Sequence, residues 1–104
     1  MNIITRADFE KLQKPLNGVF GFTFGEGCGL CNIYYEKLKE QGCDWTIVDL
    51  GFDDEKWAFT EMLITGFPST KIIIDDMTVY NKGGVLFSKQ IKEANLKYKE
   101  LNGD

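Results

Sequence analysis

An apolar run, Val19-Phe20-Gly21-Phe22-Thr23-Phe24, leads into Cys28-Gly29-Leu30-Cys31, and the two cysteines open a helix-patterned stretch that ends near Gln41. A buried strand passing into a helix with a thiol in its first turn restricts both topology and chemistry. The unpaired N–H groups and the dipole at a helix start favour negative charge, so the first sulfur can lose its proton near neutral pH. Residues i and i+3 share a helix face with Cβ atoms about 5–6 Å apart. A modest adjustment of the first turn brings them to the roughly 3.5–4.5 Å that a disulfide requires. A bridge there closes a loop of only four residues, which on the chain-entropy model stabilises by roughly 2 kcal/mol. That makes a weak structural brace, and the pair reads instead as a redox switch.

Composition narrows the setting. The 104 residues fit one domain, 1–104, and 43% apolar content is enough to bury a core without staples. A third cysteine, Cys43, leaves an odd count, against a secreted disulfide framework. Met1-Asn2-Ile3-Ile4-Thr5-Arg6 lacks the apolar core and cleavage site of a signal peptide. No apolar run approaches the roughly 20 residues that span a bilayer. A reducing, cytoplasmic setting is therefore expected. The net charge of −4 gives no basic footprint for nucleic acid or an anionic membrane. Three cysteines and no histidine fall short of a structural zinc site, leaving a cluster shared between two protomers as the least unfavourable metal reading.

No internal repeat, low-complexity tract or Pro/Ser-rich linker interrupts the chain. Met1 to Ile4 reads as a short strand. Thr5 reads as an N-cap with Asp8 at N3, followed by Phe9 and Leu12 on one face, before Pro15 and Gly18 end the helix. Val19 to Phe24 is a buried strand. Cys28 to Gln41 is a helix with an apolar stripe of Leu30, Ile33, Tyr34 and Leu38, closed by Gly42. Trp45 to Leu50 has the β-branched and aromatic content of a strand. Asp53 or Asp54 caps a third helix to about Ile64, with Trp57, Phe59 and Leu63 expected in the core. After Gly66-Phe67-Pro68, Thr70 to Ile74 is a strand. Asp75-Asp76-Met77 is a turn, and Thr78 to Tyr80 plus Val85 to Leu86 form the return. A last helix spans Ser88 to Leu101, with Phe87, Ile91, Ala94, Tyr98 and Leu101 packing on a sheet. The order β-α-β-α-β-α-β-β-α predicts an α/β fold. Its mixed central sheet has parallel strands first and an antiparallel hairpin last, with helices on both faces.

With these elements in place the chain resembles the thioredoxin superfamily over nearly its whole length. Four features carry the resemblance: a strand entering Cys28-Gly29-Leu30-Cys31 at a helix start, Gly66-Phe67-Pro68-Ser69-Thr70 before an apolar strand, a hairpin followed by Gly83-Gly84, and a Lys-rich amphipathic last helix. The resemblance implies a thioredoxin fold with a cis Phe67–Pro68 bond beside the cysteines. The alternative for Pro68 is a trans proline starting an edge strand. The chain departs from the usual thioredoxin pattern at Gly27, where a Trp is typical, at Leu30, where a Pro is typical, and at Phe22, where a buried Asp commonly handles the second thiol's proton. It also lacks the Thr-Val-Pro and Pro-Tyr of glutaredoxins, and so resembles a divergent thioredoxin/glutaredoxin-like protein.

The activity so implied is thiol–disulfide exchange with protein disulfides. Cys28 is the attacking thiolate, Cys31 is the resolving thiol, and Phe67, Pro68, Gly29 and Gly84 lie against the substrate. Electrons come from a disulfide reductase or from glutathione. No cofactor or metal is needed, and the protein is expected to be a monomer. The alternatives are a redox-independent interaction module on the same fold and a glutaredoxin-like, glutathione-dependent reductase. Phe67 reads as a substrate contact or as core. Glu26, two residues before Cys28, reads as a solvated loop acid. With Phe22 in place, water, Glu26 and Asp49 are the candidate carriers of the Cys31 proton. Cys43 reads as an ordinary thiol at a strand entrance. Gly25 and Gly27 imply an open rim around Cys28. Of Tyr34 and Tyr35, one is expected in the core and the other in solvent.

Overall fold

The computed structural model describes residues 1–25 and 27–103. Its elements are β1 (Asn2–Ile4), α1 (Arg6–Glu10), β2 (Gly18–Phe24), α2 (Gly29–Glu40), β3 (Thr46–Leu50), a 3-10 turn (Phe52–Asp54), α3 (Glu55–Thr60), β4 (Ser69–Ile74), β5 (Met77–Gly83) and α4 (Ser88–Leu101). The five strands form one sheet in the order β1-β3-β2-β4-β5. Strands β1 and β2 run parallel to β3, β4 is antiparallel to β2, and β5 is antiparallel to β4. This is the mixed α/β sheet expected from the sequence.

Side chains of β2 alternate between two cores, as the period of two in a strand requires. Phe20, Phe22 and Phe24 join Phe9 of α1, Ala58 of α3, Val48 and Ile73 on one face. Val19 joins Tyr34 and Leu38 of α2, Ile91 and Ala94 of α4, Ile47 and Ile72 on the other. Because both faces are covered, β2 tolerates the near-continuous apolar run seen in its sequence. Helix α1 is capped as expected: the Asp8 N–H donates to Thr5 Oγ1 at 3.1 Å and the Asp8 carboxylate accepts from the Thr5 N–H at 3.5 Å. Helix α2 ends at Gly42, whose φ of +62° is the left-handed conformation that glycine adopts at little steric cost.

Four expectations are corrected. Helix α3 stops at Thr60 rather than near Ile64, and Leu63 turns left-handed at φ +55°. The Ile64 N–H instead returns to the Ala58 carbonyl at 2.9 Å, which buries Ala58 and Ile64 and leaves Phe59 and Leu63 exposed. The apolar stripe of α2 is rotated: Cys31, Tyr34 and Leu38 are buried, whereas Leu30 and Ile33 face outward. The stripe of α4 is likewise narrower, with Ile91 and Ala94 buried and Phe87 and Leu101 exposed. The return strand β5 runs unbroken from Met77 to Gly83, and Val85–Leu86 lies beyond it. Its polar segment Asn81-Lys82-Gly83 needs no apolar face, because an edge strand is held by backbone pairing with Ser69, Thr70 and Lys71.

The β4–β5 turn places both Asp75 and Asp76 at positive φ (49° and 67°), the conformation of a tight hairpin whose twist matches its strands. Asp76 Oδ1 accepts from the Leu16 N–H at 2.6 Å, and Asn17 Oδ1 accepts from the Asp75 N–H at 3.0 Å. The hairpin tip is thus tied to the entrance of β2.

Gly21 lies at the crossing of β2 with α2. A Cβ there would lie 2.5 Å from the Tyr34 hydroxyl and 2.6 Å from Ile47 Cδ1. Gly21→Ala is expected to destabilise the fold by about 1–3 kcal/mol through overpacking. The check is a lower urea midpoint with unchanged m-value. Gly29→Ala, where a Cβ meets nothing within 4 Å, should leave the midpoint unchanged or raise it slightly.

Candidate functional site

Strand β2 ends at Phe24, the Gly25 N–H extends the sheet by donating to the Leu50 carbonyl at 3.0 Å, and Gly27 turns the chain at φ +71° into α2. Cys28 is the N-cap of α2, and its sulfur accepts from the Cys31 N–H at 3.2 Å. Cys28 and Cys31 are joined in a disulfide with Cα atoms 5.3 Å apart, within the usual range. The two sulfurs differ in environment. Cys28 is half-buried at the rim, while Cys31 is 2% exposed and accepts from the Phe24 N–H at 3.5 Å. No acidic residue lies in the first turn of α2, and Lys37 and Lys39 lie in its last. The charges carried by α2 itself therefore do not oppose its dipole, and both the dipole and the Cys31 amide favour a thiolate at Cys28 once the pair is reduced.

Of the residues expected against the substrate, Gly29 and Phe67 line one cleft with Cys28, and Pro68 and Gly84 are hydrogen-bonded to each other. Gly29 opens α2, exposed and unobstructed. The Phe67–Pro68 peptide is cis, and the buried Pro68 carbonyl accepts from the Gly84 N–H at 2.8 Å. Gly84 holds φ +90° there, which explains the need for glycine. The Phe67 ring packs on Phe24 with centroids 5.4 Å apart. Phe24, Phe67, Leu30, Cys28 and Glu55 line a shallow cleft of about 320 Å³. Phe67 therefore packs at the rim of the core and also forms a wall of the cleft.

A second, more polar cavity of about 440 Å³ lies behind the pair, lined by Cys28, Cys31, Asn32, Tyr35 and Asp49. Asp49 Oδ1 accepts from Thr23 Oγ1 at 2.8 Å and from the Tyr35 hydroxyl at 3.4 Å, and the two hydroxyls are 2.6 Å apart. Burial pushes the Tyr35 phenol up from its ordinary range, with the Asp49 charge adding to the rise and the Thr23 hydrogen bond opposing it. A Cβ on Gly25 would come within 3.0 Å of Asp49 Oδ2, so the glycine leaves room for the carboxylate. Tyr35 is thus half-buried in a hydrogen-bonded cluster rather than free in solvent, whereas Tyr34 is fully buried with its hydroxyl 2.7 Å from Thr70.

Asp49 was legible as a candidate proton carrier, but Thr23 and Tyr35 were not. The available signal was the four-residue step from Cys31 to Tyr35, which puts them on one helix face. Phe22 points into the core and does not line the thiols' polar cavity: it is 0% solvent-exposed and packs edge-on to Phe9 with centroids 5.8 Å apart. Glu26 lies outside the described residues. Cys43 belongs to the core between the sheet and helices α2 and α4, where burial raises its thiol.

No family model and no curated protein matches the chain. Solved structures do. Thioredoxin pre-protein from Schistosoma mansoni superposes with a TM-score of 0.68 at 21% identity, covering 94% of this chain and 99% of its own. Fasciola hepatica thioredoxin gives 0.65 at 24% identity over 95% and 100%. A chloroplastic thioredoxin z gives 0.67 at 18% identity over 96% and 95%. The fold is therefore the thioredoxin fold, as the resemblance implied.

The unequal exposure of the thiols predicts their order of reaction. In the reduced protein under native conditions, iodoacetamide should modify Cys28 first. Cys43 should react at least about tenfold more slowly, because local opening must precede its exposure. Peptide mass spectrometry over a time course checks this, and equal rates at positions 28 and 43 would contradict it.

Proposed function

We propose that this thioredoxin-fold chain is a thiol–disulfide oxidoreductase that reduces protein disulfides through Cys28 and Cys31. The observation that carries the reading is the asymmetry of the pair. One sulfur stands at the rim beside an apolar cleft with a helix N-terminus beneath it, and the other is buried within bonding reach. That is the arrangement needed for one thiol to meet a partner while the second waits for the intermediate.

In the reduced protein, the Cys28 thiolate attacks one sulfur of a partner disulfide. A Cys28–partner bond forms, the partner's own S–S bond breaks, and the displaced sulfur leaves with the electron pair. Cys31 then attacks Cys28, giving the disulfide present in the structure and releasing the second partner thiolate. The partner gains two electrons and the dithiol loses two. Resolution needs little movement, since the pair already sits at disulfide separation. The partner segment enters extended. Phe67 and Leu30 offer apolar contact, and the chain just before Ser69, where the β4 pairings begin, offers backbone to it. Gly29 and Gly84 keep side chains out of its path. Gly27, in place of a bulky residue, widens the rim.

A disulfide reductase or glutathione returns electrons to the pair, and no bound cofactor or metal is required because the two sulfurs hold both electrons. We place the protein in the cytoplasm as a monomer acting on other proteins, not on nucleic acid or a membrane. No helix among the described residues is long and apolar enough to cross a membrane.

Cys28→Ser is expected to abolish turnover in an insulin-reduction assay. Cys31→Ser should instead accumulate a mixed disulfide, visible as an adduct in intact-mass spectra and released by dithiothreitol. Full activity in the double Cys28→Ser, Cys31→Ser variant would refute the proposal and leave an interaction module as the reading of the fold.

A further inference from the structure

The polar cavity behind the disulfide has no part in the attack by Cys28, yet the next step needs what it contains. To resolve the intermediate, Cys31 must lose its proton, and at 2% exposure bulk solvent does not reach it freely. Burial also disfavours the thiolate. Phe22, packed among aromatic rings on the opposite face of the sheet, offers no group that can take a proton. Cys31 and Asp49, however, line the same cavity of about 440 Å³, ample for a few water molecules. Among the described residues that line it, Asp49 alone has a carboxylate.

The carboxylate is held in place. Strands β2 and β3 pair Thr23 with Asp49, so Thr23 Oγ1 reaches Asp49 Oδ1 at 2.8 Å. One turn after Cys31 on α2, Tyr35 reaches the same oxygen at 3.4 Å and Thr23 at 2.6 Å. These contacts fix the position of the carboxylate on the cavity wall. The other oxygen, Oδ2, lies beneath Gly25, where a Cβ would crowd it. The titratable groups facing the carboxylate are Tyr35 and the two cysteines, all from the α2 side. Strand β2 contributes only the neutral Thr23, and no ion pair involves Asp49 among the described residues.

We propose that Asp49, positioned by Thr23 and Tyr35, accepts the Cys31 proton through cavity water as the mixed disulfide is resolved. The inference rests on the exchange reading of Cys28 and Cys31. The Cys31 S–H bond breaks and its proton passes to the Asp49 carboxylate. The Cys31 thiolate bonds to Cys28 Sγ, and the partner sulfur leaves with the electron pair of the broken bond. Asp49 then returns its proton to the departing thiolate or to solvent. Thr23 and Tyr35 are positioning residues, and the route lies on the α2 face of the sheet, away from position 22.

Stopped-flow reaction of the reduced protein with dithiobis(nitrobenzoate) separates the two steps, because attack by Cys28 and resolution by Cys31 each release one coloured thiolate. Asp49→Asn keeps the size and the acceptor oxygen facing Thr23. Its first release should match wild type, while its second should slow by about 100-fold near neutral pH, the scale of a lost general base. The slowed step should climb with hydroxide concentration where wild type is flat, and Asp49→Glu should recover the flat profile. A purely structural Asp49 predicts no such change in pH profile. Should Asp49→Asn not fold, Tyr35→Phe takes its place. Losing the hydroxyl that positions the carboxylate should slow its second release several-fold, with the first release unchanged. A wild-type second release in Asp49→Asn, or in a Tyr35→Phe used in its place, overturns the inference. A wild-type protein with no first release from Cys28 would instead overturn the exchange reading beneath it.

Discussion

Strand β2 is buried on both faces and hydrogen-bonded along both edges, and the geometry of the cysteine pair depends on that confinement. Phe20, Phe22 and Phe24 each contribute roughly 1.5–3 kcal/mol by leaving water, and they do so only in one register. A slip of one residue would exchange the two cores. The last ladder contacts of β2 therefore fix where Gly25 leaves the sheet, and hence where α2 begins. From that single anchor follow the N-cap role of Cys28, the depth of Cys31 and the approach of Tyr35 to β3.

Two unlike spaces meet at the disulfide. On the rim side Phe24, Phe67 and Leu30, together with Glu55, form the walls, suited to a polypeptide segment. Behind it they carry hydroxyls and one carboxylate, suited to water and protons. The separation is physically sensible. A carboxylate in the inner cavity meets the buried sulfur as a thiol, whose proton it can take. Helix α2 divides the two spaces and supplies residues to both, Leu30 outward and Tyr35 inward.

Much of the fold was legible because its signals are local. Thr5 with Asp8, Gly42, the Asp75-Asp76 turn and the bounds of α4 each follow from residues adjacent in sequence. Errors arose where packing between distant segments decided the outcome. Leu30 and Ile33 look like part of an α2 stripe, but the sheet selects Cys31, Tyr34 and Leu38, a rotation that the helix pattern alone leaves open. Phe59 and Leu63 have the size of core residues, yet α3 is cut short by the backbone return from Ile64 to Ala58. Strand β5 extends through polar residues because β4 supplies a ladder for them. The same distinction holds at the site. Cys28, Cys31 and the cis Pro68 announce themselves by spacing or by resemblance. The cluster of Thr23, Tyr35 and Asp49 draws on three separate elements and becomes visible only when β2 and β3 are set in register.

The bare Cα of Gly25 above Asp49 Oδ2 couples what these two positions can hold. With a carboxylate at 49, a Cβ at 25 would lie 3.0 Å from Oδ2, so the acid would have to give by a few tenths of an ångström. A sequence that drifted to a small or apolar residue at 49 would be released from that restriction at 25. Among descendants of this chain, glycine at 25 and aspartate at 49 should thus be inherited together or lost in a set order, the acid first.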